Sequence, residues 1–147
     1  IGNMVNHEVP QLEEEGIEIN YFFPTDFGVP EVYELVFLAG QDAVDNNPEK
    51  LQKFLRAAKK GFEFTKENPE EALQILLDNQ NAENFPLSPT VETESLNILL
   101  PAMENETAEF LSQDVAVWQQ NADWLYERGI LSEQADVSFM VVDLLAE

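Results

Sequence analysis

Two asparagine–proline–glutamate runs, Asn47-Pro48-Glu49 and Asn68-Pro69-Glu70, constrain this chain more than any other feature. Asparagine suits the N-cap of a helix, proline loses nothing at the first helical position, and an acid there meets the positive end of the helix dipole. After the first run, Leu51, Phe54, Leu55, Ala58 and Phe62 recur at spacings of three and four, which puts them on one helical face. After the second, Ala72, Leu73, Leu76 and Leu77 do the same over a shorter length. The spacing predicts a helical hairpin broken at Asn68.

Upstream the period changes. Asn6 to Glu15 reads as a short helix with Pro10 in its first turn and Gly16 at the C-terminal cap. Ile17, Ile19, Tyr21 and Phe23 alternate with neighbours as a strand does, and Pro24 stops the run. Following a turn through Asp26 to Pro30, Tyr33 to Ala39 is mostly apolar on both faces, Glu34 apart, the pattern of a covered central strand ended by Gly40. Downstream, Thr90 is expected to cap a helix through Leu96, Leu99, Leu100 and Met103, kinked or shortened by Pro101. Asp114 is expected to cap another, with Val115, Trp118, Ala122 and Leu125 as its buried stripe and Arg128-Gly129 at its end. A last helix is expected near Asp136. The expected fold class is therefore α/β and helix-rich. Two strands make no stable sheet alone, so the rest of that sheet would lie elsewhere.

The 147 residues suit one domain, and 44% hydrophobic content makes a packed globule the expectation, not a disordered acidic chain. Twenty-nine acids against seven bases leave a net charge of −22, which repels phosphate backbones, so nucleic acid is not an expected partner. All the bases but Arg128 fall between residues 50 and 66: Lys50, Lys53, Arg56, Lys59, Lys60 and Lys66. That cationic face either pairs with the acidic body or docks an acidic partner. No cysteine is present, which removes thiolate and disulfide chemistry. No apolar run approaches the ~20 residues of a membrane span. The chain opens at Ile1 with no initiating Met, so it is expected to have been cut from something longer.

One histidine, His7, is too few for a Ser/His/Asp set or a His-Glu-x-x-His helix, and no phosphate-cradling glycine loop occurs. Asp45, Asn47 and Glu49 imitate the start of a calcium loop, but Lys50 and Arg56 stand where glycine and the bidentate acid are required. Glu13, Glu14 and Glu15 point in different directions on a helix and read as a solvated face. Asn105-Glu106-Thr107 is a glycosylation sequon short enough to arise by chance. Trp118 reads as core, while Trp124 flanks the stripe. Asn6 and Glu8 have two readings of equal weight. In one, they cap a helix and favour its dipole. In the other, a carboxylate and an amide side by side read the amine and ring nitrogens of a heterocycle through charge-assisted hydrogen bonds.

Asn6-His7-Glu8, Gln11-Leu12-Glu13, Gly16, Tyr21 to Phe23, Asp26 to Pro30 and Tyr33 to Val36 resemble, in order and spacing, a stretch of the thiamine-pyrimidine-precursor solute-binding proteins of ABC transporters. The likeness continues through Asn47-Pro48-Glu49, Phe54 to Ala57, Lys60-Gly61 and Asn68 to Ala72, then through Trp118, Ala122 to Leu125 and Gly129 to Leu131. The resemblance implies the C-terminal portion of a type II periplasmic-binding-protein fold with part of its sheet missing. Residues 1–147 would complete one lobe, with 1–16 next to the hinge. It implies an aminopyrimidine or similar small heterocycle as ligand, bound by Glu8, Asn6 and Asp26, with hinge closure read by a permease. His7 departs from the aromatic or apolar residue usual there. No cofactor, metal or catalytic residue is implied. The protein would be extracytoplasmic, as a surface lipoprotein or periplasmic, and two copies would pair across a bare sheet edge. The alternative function is an acidic helical interaction module using the basic face 50–66. A more distant one is a pyrimidine-synthesising enzyme relative, which lacks here the clustered cysteines expected of it.

Overall fold

The computed structural model describes residues 2–83, 85–104, 106 and 108–145. Ile1, and Asn105 and Thr107 of the sequon, lie outside the described residues. Six α-helices occur among the described residues: α1 (Glu8–Glu14), α2 (Gln41–Asn46), α3 (Pro48–Glu67), α4 (Pro69–Asn79), α5 (Pro89–Met103) and α6 (Val115–Glu127). A 3₁₀ turn spans Pro24–Phe27. The chain divides into two units, one of Ile1–Asn20 with Ala57–Leu111 and the other of Tyr21–Arg56 with Ser112–Glu147.

The α/β expectation is overturned: no strand forms among the described residues. Residues 17–23 and 33–39 run without ladder partners, and an extended segment becomes a strand only when another backbone pairs with it. In the second unit, side chains of α6 and its cap take the place of a ladder. The Asn121 amide donates to the Glu31 carbonyl at 2.6 Å, the Trp124 indole N–H to the Gly28 carbonyl at 3.0 Å, and the Asp114 N–H to the Tyr33 hydroxyl at 2.8 Å. The segment before the expected second strand is thus held along a helix. With no sheet, the bare edge expected to pair two copies has no counterpart among the described residues.

The first unit is built around α5, against which α1 and α4 both pack. Val9 and Pro10 of α1 are buried, as are Val91 and Ser95 of α5, one turn apart on the same face. The expected hairpin bends at Asn68 as read, but α4 packs on α5. The Asn68 side chain donates back to the Phe64 carbonyl at 3.1 Å, so it closes α3 and leaves the first amides of α4 without its help. Ser88, not Thr90, caps α5, accepting from the Val91 N–H. On α3, the apolar stripe is real but thinly covered. Phe62 is buried against Phe110, ring centroids 4.1 Å apart, whereas Phe54 meets Phe37 edge-on and stays 53% exposed. Among the described residues the buried apolar side chains are Val9, Pro10, Phe62, Val91, Ala122 and Val137.

Two helices end alike. After α1, the Gly16 N–H reaches the Glu13 carbonyl and the Ile17 N–H the Leu12 carbonyl; after α6, Gly129 and Ile130 repeat the pair on Tyr126 and Leu125. Both closures need a left-handed residue, and Gly16 and Gly129 supply it at φ of +75° and +69°. The helix expected near Asp136 does not form among the described residues. The Asp136 carboxylate accepts from the Ser138 N–H at 2.9 Å and closes a turn instead, and the Ser138 side chain and then its backbone amide hold its pKa below the usual range.

Candidate functional site

The residues expected to read a ligand fall in both units, and each is described where it stands. Asn6, half-buried, donates its side-chain amide to the Ser95 hydroxyl at 3.0 Å. Ser95 is the buried polar side chain of α5, and Asn6 is its partner. Beside it, the His7 ring nitrogen stands 3.5 Å from the Glu92 carboxylate, and the Ser88 hydroxyl donates to Glu14 at 2.8 Å. These contacts stitch α1 to α5. Glu8 reaches back to accept from the Met4 N–H at 2.9 Å, while its own N–H donates to the Met4 carbonyl. Asn6 does not cap α1: His7 holds the N-cap position with no side-chain cap bond, whereas Glu8 does lie in the first turn, at the positive end of the helix dipole. This arrangement spends the Asn6 amide and one Glu8 oxygen. It leaves the Asn6 carbonyl oxygen and one Glu8 oxygen without a partner among the described residues, which are the two acceptors a heterocycle amine would use. Asp26, in the 3₁₀ turn of the second unit, is exposed and its carboxylate has no partner among the described residues.

The second unit also holds a cleft that sequence reasoning did not single out. Its walls are Gly28, Val29 and Pro30 on one side and α6 on the other, through Gln119, Asp123, Trp124 and Glu127 among others. Asp123 accepts through one oxygen from the amides of Gln119 and Gln134, at 3.0 and 3.2 Å. Gln119 is itself tied to the Ala135 carbonyl at 2.8 Å and to the Val137 N–H at 3.3 Å. Arg128 lays its guanidinium over the Trp124 ring, 4.0 Å from the centroid. The available signal was the polar stripe Gln119, Asp123, Glu127, repeating every four residues beside the apolar one. Trp118 is half-buried, bonded to Gln113 at 3.0 Å and tilted against Tyr33.

The cationic helix is partly used within the chain. Lys59 pairs with Glu109 at 3.1 Å, a hydrogen bond that raises the lysine pKa, and Lys66 pairs with Glu104, whose carboxyl that bond holds below its usual range. Both pairs are exposed and contribute little to stability. No group of three metal-ligating side chains gathers among the described residues, and no helix there is long and apolar enough to cross a membrane.

Residues 1–72 match the family model described as NMT1/THI5 like. The chain is 46% identical over 140 residues to the formylaminopyrimidine-binding protein of Halalkalibacterium halodurans, covering 92% of this chain and 42% of that protein. The chain belongs to the NMT1/THI5-like family. It is also 30% identical over 144 residues to the riboflavin-binding protein RibY of Chloroflexus aurantiacus, covering 93% of this chain and 39% of that one. To a putative thiamine biosynthesis protein of Haemophilus influenzae the identity is 27% over 145 residues, covering 98% and 43%. The chain therefore spans about two fifths of the length of these relatives. Two of these family relatives are named for binding a small heterocycle, which makes a small-molecule ligand the shared theme.

Proposed function

We propose that this family member is part of the substrate-binding component of an ABC importer for an aminopyrimidine thiamine precursor, and performs no chemistry on it. The observation that carries this reading is the 46% identity, over nearly the whole chain, to a protein named for binding formylaminopyrimidine. Glu8, Asn6 and Asp26 are its ligand contacts: each keeps an oxygen acceptor without a partner among the described residues, and an aminopyrimidine presents N–H donors to such acceptors. A ligand that binds the closed state better shifts the protein toward it, and a permease reads that state. The protein works outside the cytoplasm, as a surface lipoprotein or in a periplasm.

Thermal unfolding of the full-length protein tests this, with and without formylaminopyrimidine and hydroxymethyl-aminopyrimidine, in wild type and Glu8→Ala. Ligand at a hundred times its dissociation constant adds about 2.7 kcal/mol to a native state that alone binds it. The wild-type midpoint is expected to rise, and the rise to be largely lost in Glu8→Ala measured against its own ligand-free baseline. An equal rise in both removes Glu8 from the site. No rise with either compound removes the pyrimidine.

A further inference from the structure

We propose that the cleft between Gly28–Pro30 and α6 is a binding site for a small planar organic cation, an amidinium or guanidinium, held by Asp123 and Glu127 beside Trp124. Neither Glu8, Asn6 nor Asp26 lines it, and the inference does not rest on the pyrimidine reading.

The cleft, open to solvent along much of its surface, has a volume of about 730 Å³, of the order of the roughly 300–1,000 Å³ of small-molecule sites. Its carboxylate is already in position. Gln119 and Gln134 both donate to one oxygen of Asp123, and Gln119 is fixed in turn by backbone of residues 135 and 137. The other Asp123 oxygen has no partner among the described residues. An acceptor held this way loses little freedom on binding, which favours affinity. Glu127 stands one helical turn further along the same wall, exposed and without a partner among the described residues. Two carboxylates one turn apart repel each other, and a bound cation relieves that repulsion while donating two charge-assisted hydrogen bonds.

The aromatic wall is equally fixed. The Trp124 indole N–H is spent on the Gly28 carbonyl, which ties one side of the cleft to the other. Its ring carries the Arg128 guanidinium, so this indole already accepts a planar cation. Arg128 is not among the residues that line the cleft, and none of those residues is basic. A neutral ring with N–H donors would gain the hydrogen bonds without the charge, so the site discriminates amidinium from amide.

Benzamidinium titrated into the full-length protein tests this, read from the indole N–H resonance of Trp124 assigned with a Trp118→Phe variant. Benzamide serves as the neutral isostere. Saturable movement of that resonance by benzamidinium, and none by benzamide, is expected. Asp123→Asn keeps the oxygen that Gln119 and Gln134 use, and Glu127 is exposed, so neither Asp123→Asn nor Glu127→Gln touches the packing. Each is expected to weaken benzamidinium roughly tenfold or more, the size of a lost charge-assisted bond. Glu8→Gln is expected to leave it unchanged. Equal binding of benzamide, an unsaturable response, or wild-type affinity in both cleft variants would overturn the proposal.

Discussion

Truncating Phe62 to Ala is expected to lower the unfolding free energy by about 3 kcal/mol, the low end of the range for a buried phenylalanine. Phe62 is 7% exposed, and its ring stacks on Phe110 with centroids 4.1 Å apart. Removing it takes away transfer free energy and the stacked contact, and leaves a hole beside a half-exposed neighbour that can partly collapse into it. That partial collapse is why the low end applies. Phe64, two residues on, faces the other way and is 39% exposed, so Phe64→Ala should cost less than about 1 kcal/mol. Urea midpoints of the two variants at unchanged slope check this. Equal losses would mean that the buried face of α3 has been assigned to the wrong side.

Asn6→Ala is the second large effect. The side-chain amide of Asn6 donates to a serine hydroxyl that is 6% exposed, and stranding a buried polar group costs about 1–3 kcal/mol. Ser95→Ala removes the group that would be stranded, so Asn6→Ala should be close to neutral for stability in that background. The cycle also separates two roles of one residue. If Asn6 contacts ligand through its carbonyl oxygen, the loss of ligand affinity persists in the Ser95→Ala background while the stability loss disappears. Affinity that returns with stability would make Asn6 a support for α5 and nothing more.

The features legible in the sequence were those decided within a few residues. Both asparagine–proline starts fell at the right positions, because proline at the first helical residue is a local constraint, and both glycine closures did too. Ser88 was legible by the same rule, since Pro89 follows it; Thr90, inside the first turn, donates nothing to the cap. Helix α2 is only six residues long and carries no apolar stripe. It is supported by two four-residue side-chain pairs, Gln41 with Asp45 and Asn46 with Asp42, each at 2.8 Å, which are easily passed over between Gly40 and Asn47. The strands failed for the opposite reason. Alternation at Ile17 to Phe23 describes side chains, whereas a strand is defined by the backbone it pairs with, and that information lies far away in the chain.

The candidate site divides in the same way. Asn6 and Glu8 were visible as an amide and an acid at a helix start; Glu8 does lie in the first turn of α1, but His7 takes the N-cap position and Asn6 turns to α5. What they do for each other's surroundings depends on Ser95, 89 residues away from Asn6, which no short pattern reveals. The α6 cleft was invisible because its second wall, Gly28 to Pro30, comes 96 residues before Trp124, its partner across the cleft.

Isothermal titration of the full-length protein with formylaminopyrimidine, and separately with riboflavin, tests the central claim most directly. Saturable one-to-one binding of the aminopyrimidine is expected, little changed between low and moderate salt because the ligand carries no net charge. Riboflavin binding with no response to the aminopyrimidine would contradict the aminopyrimidine reading and favour the ligand for which the RibY relative is named.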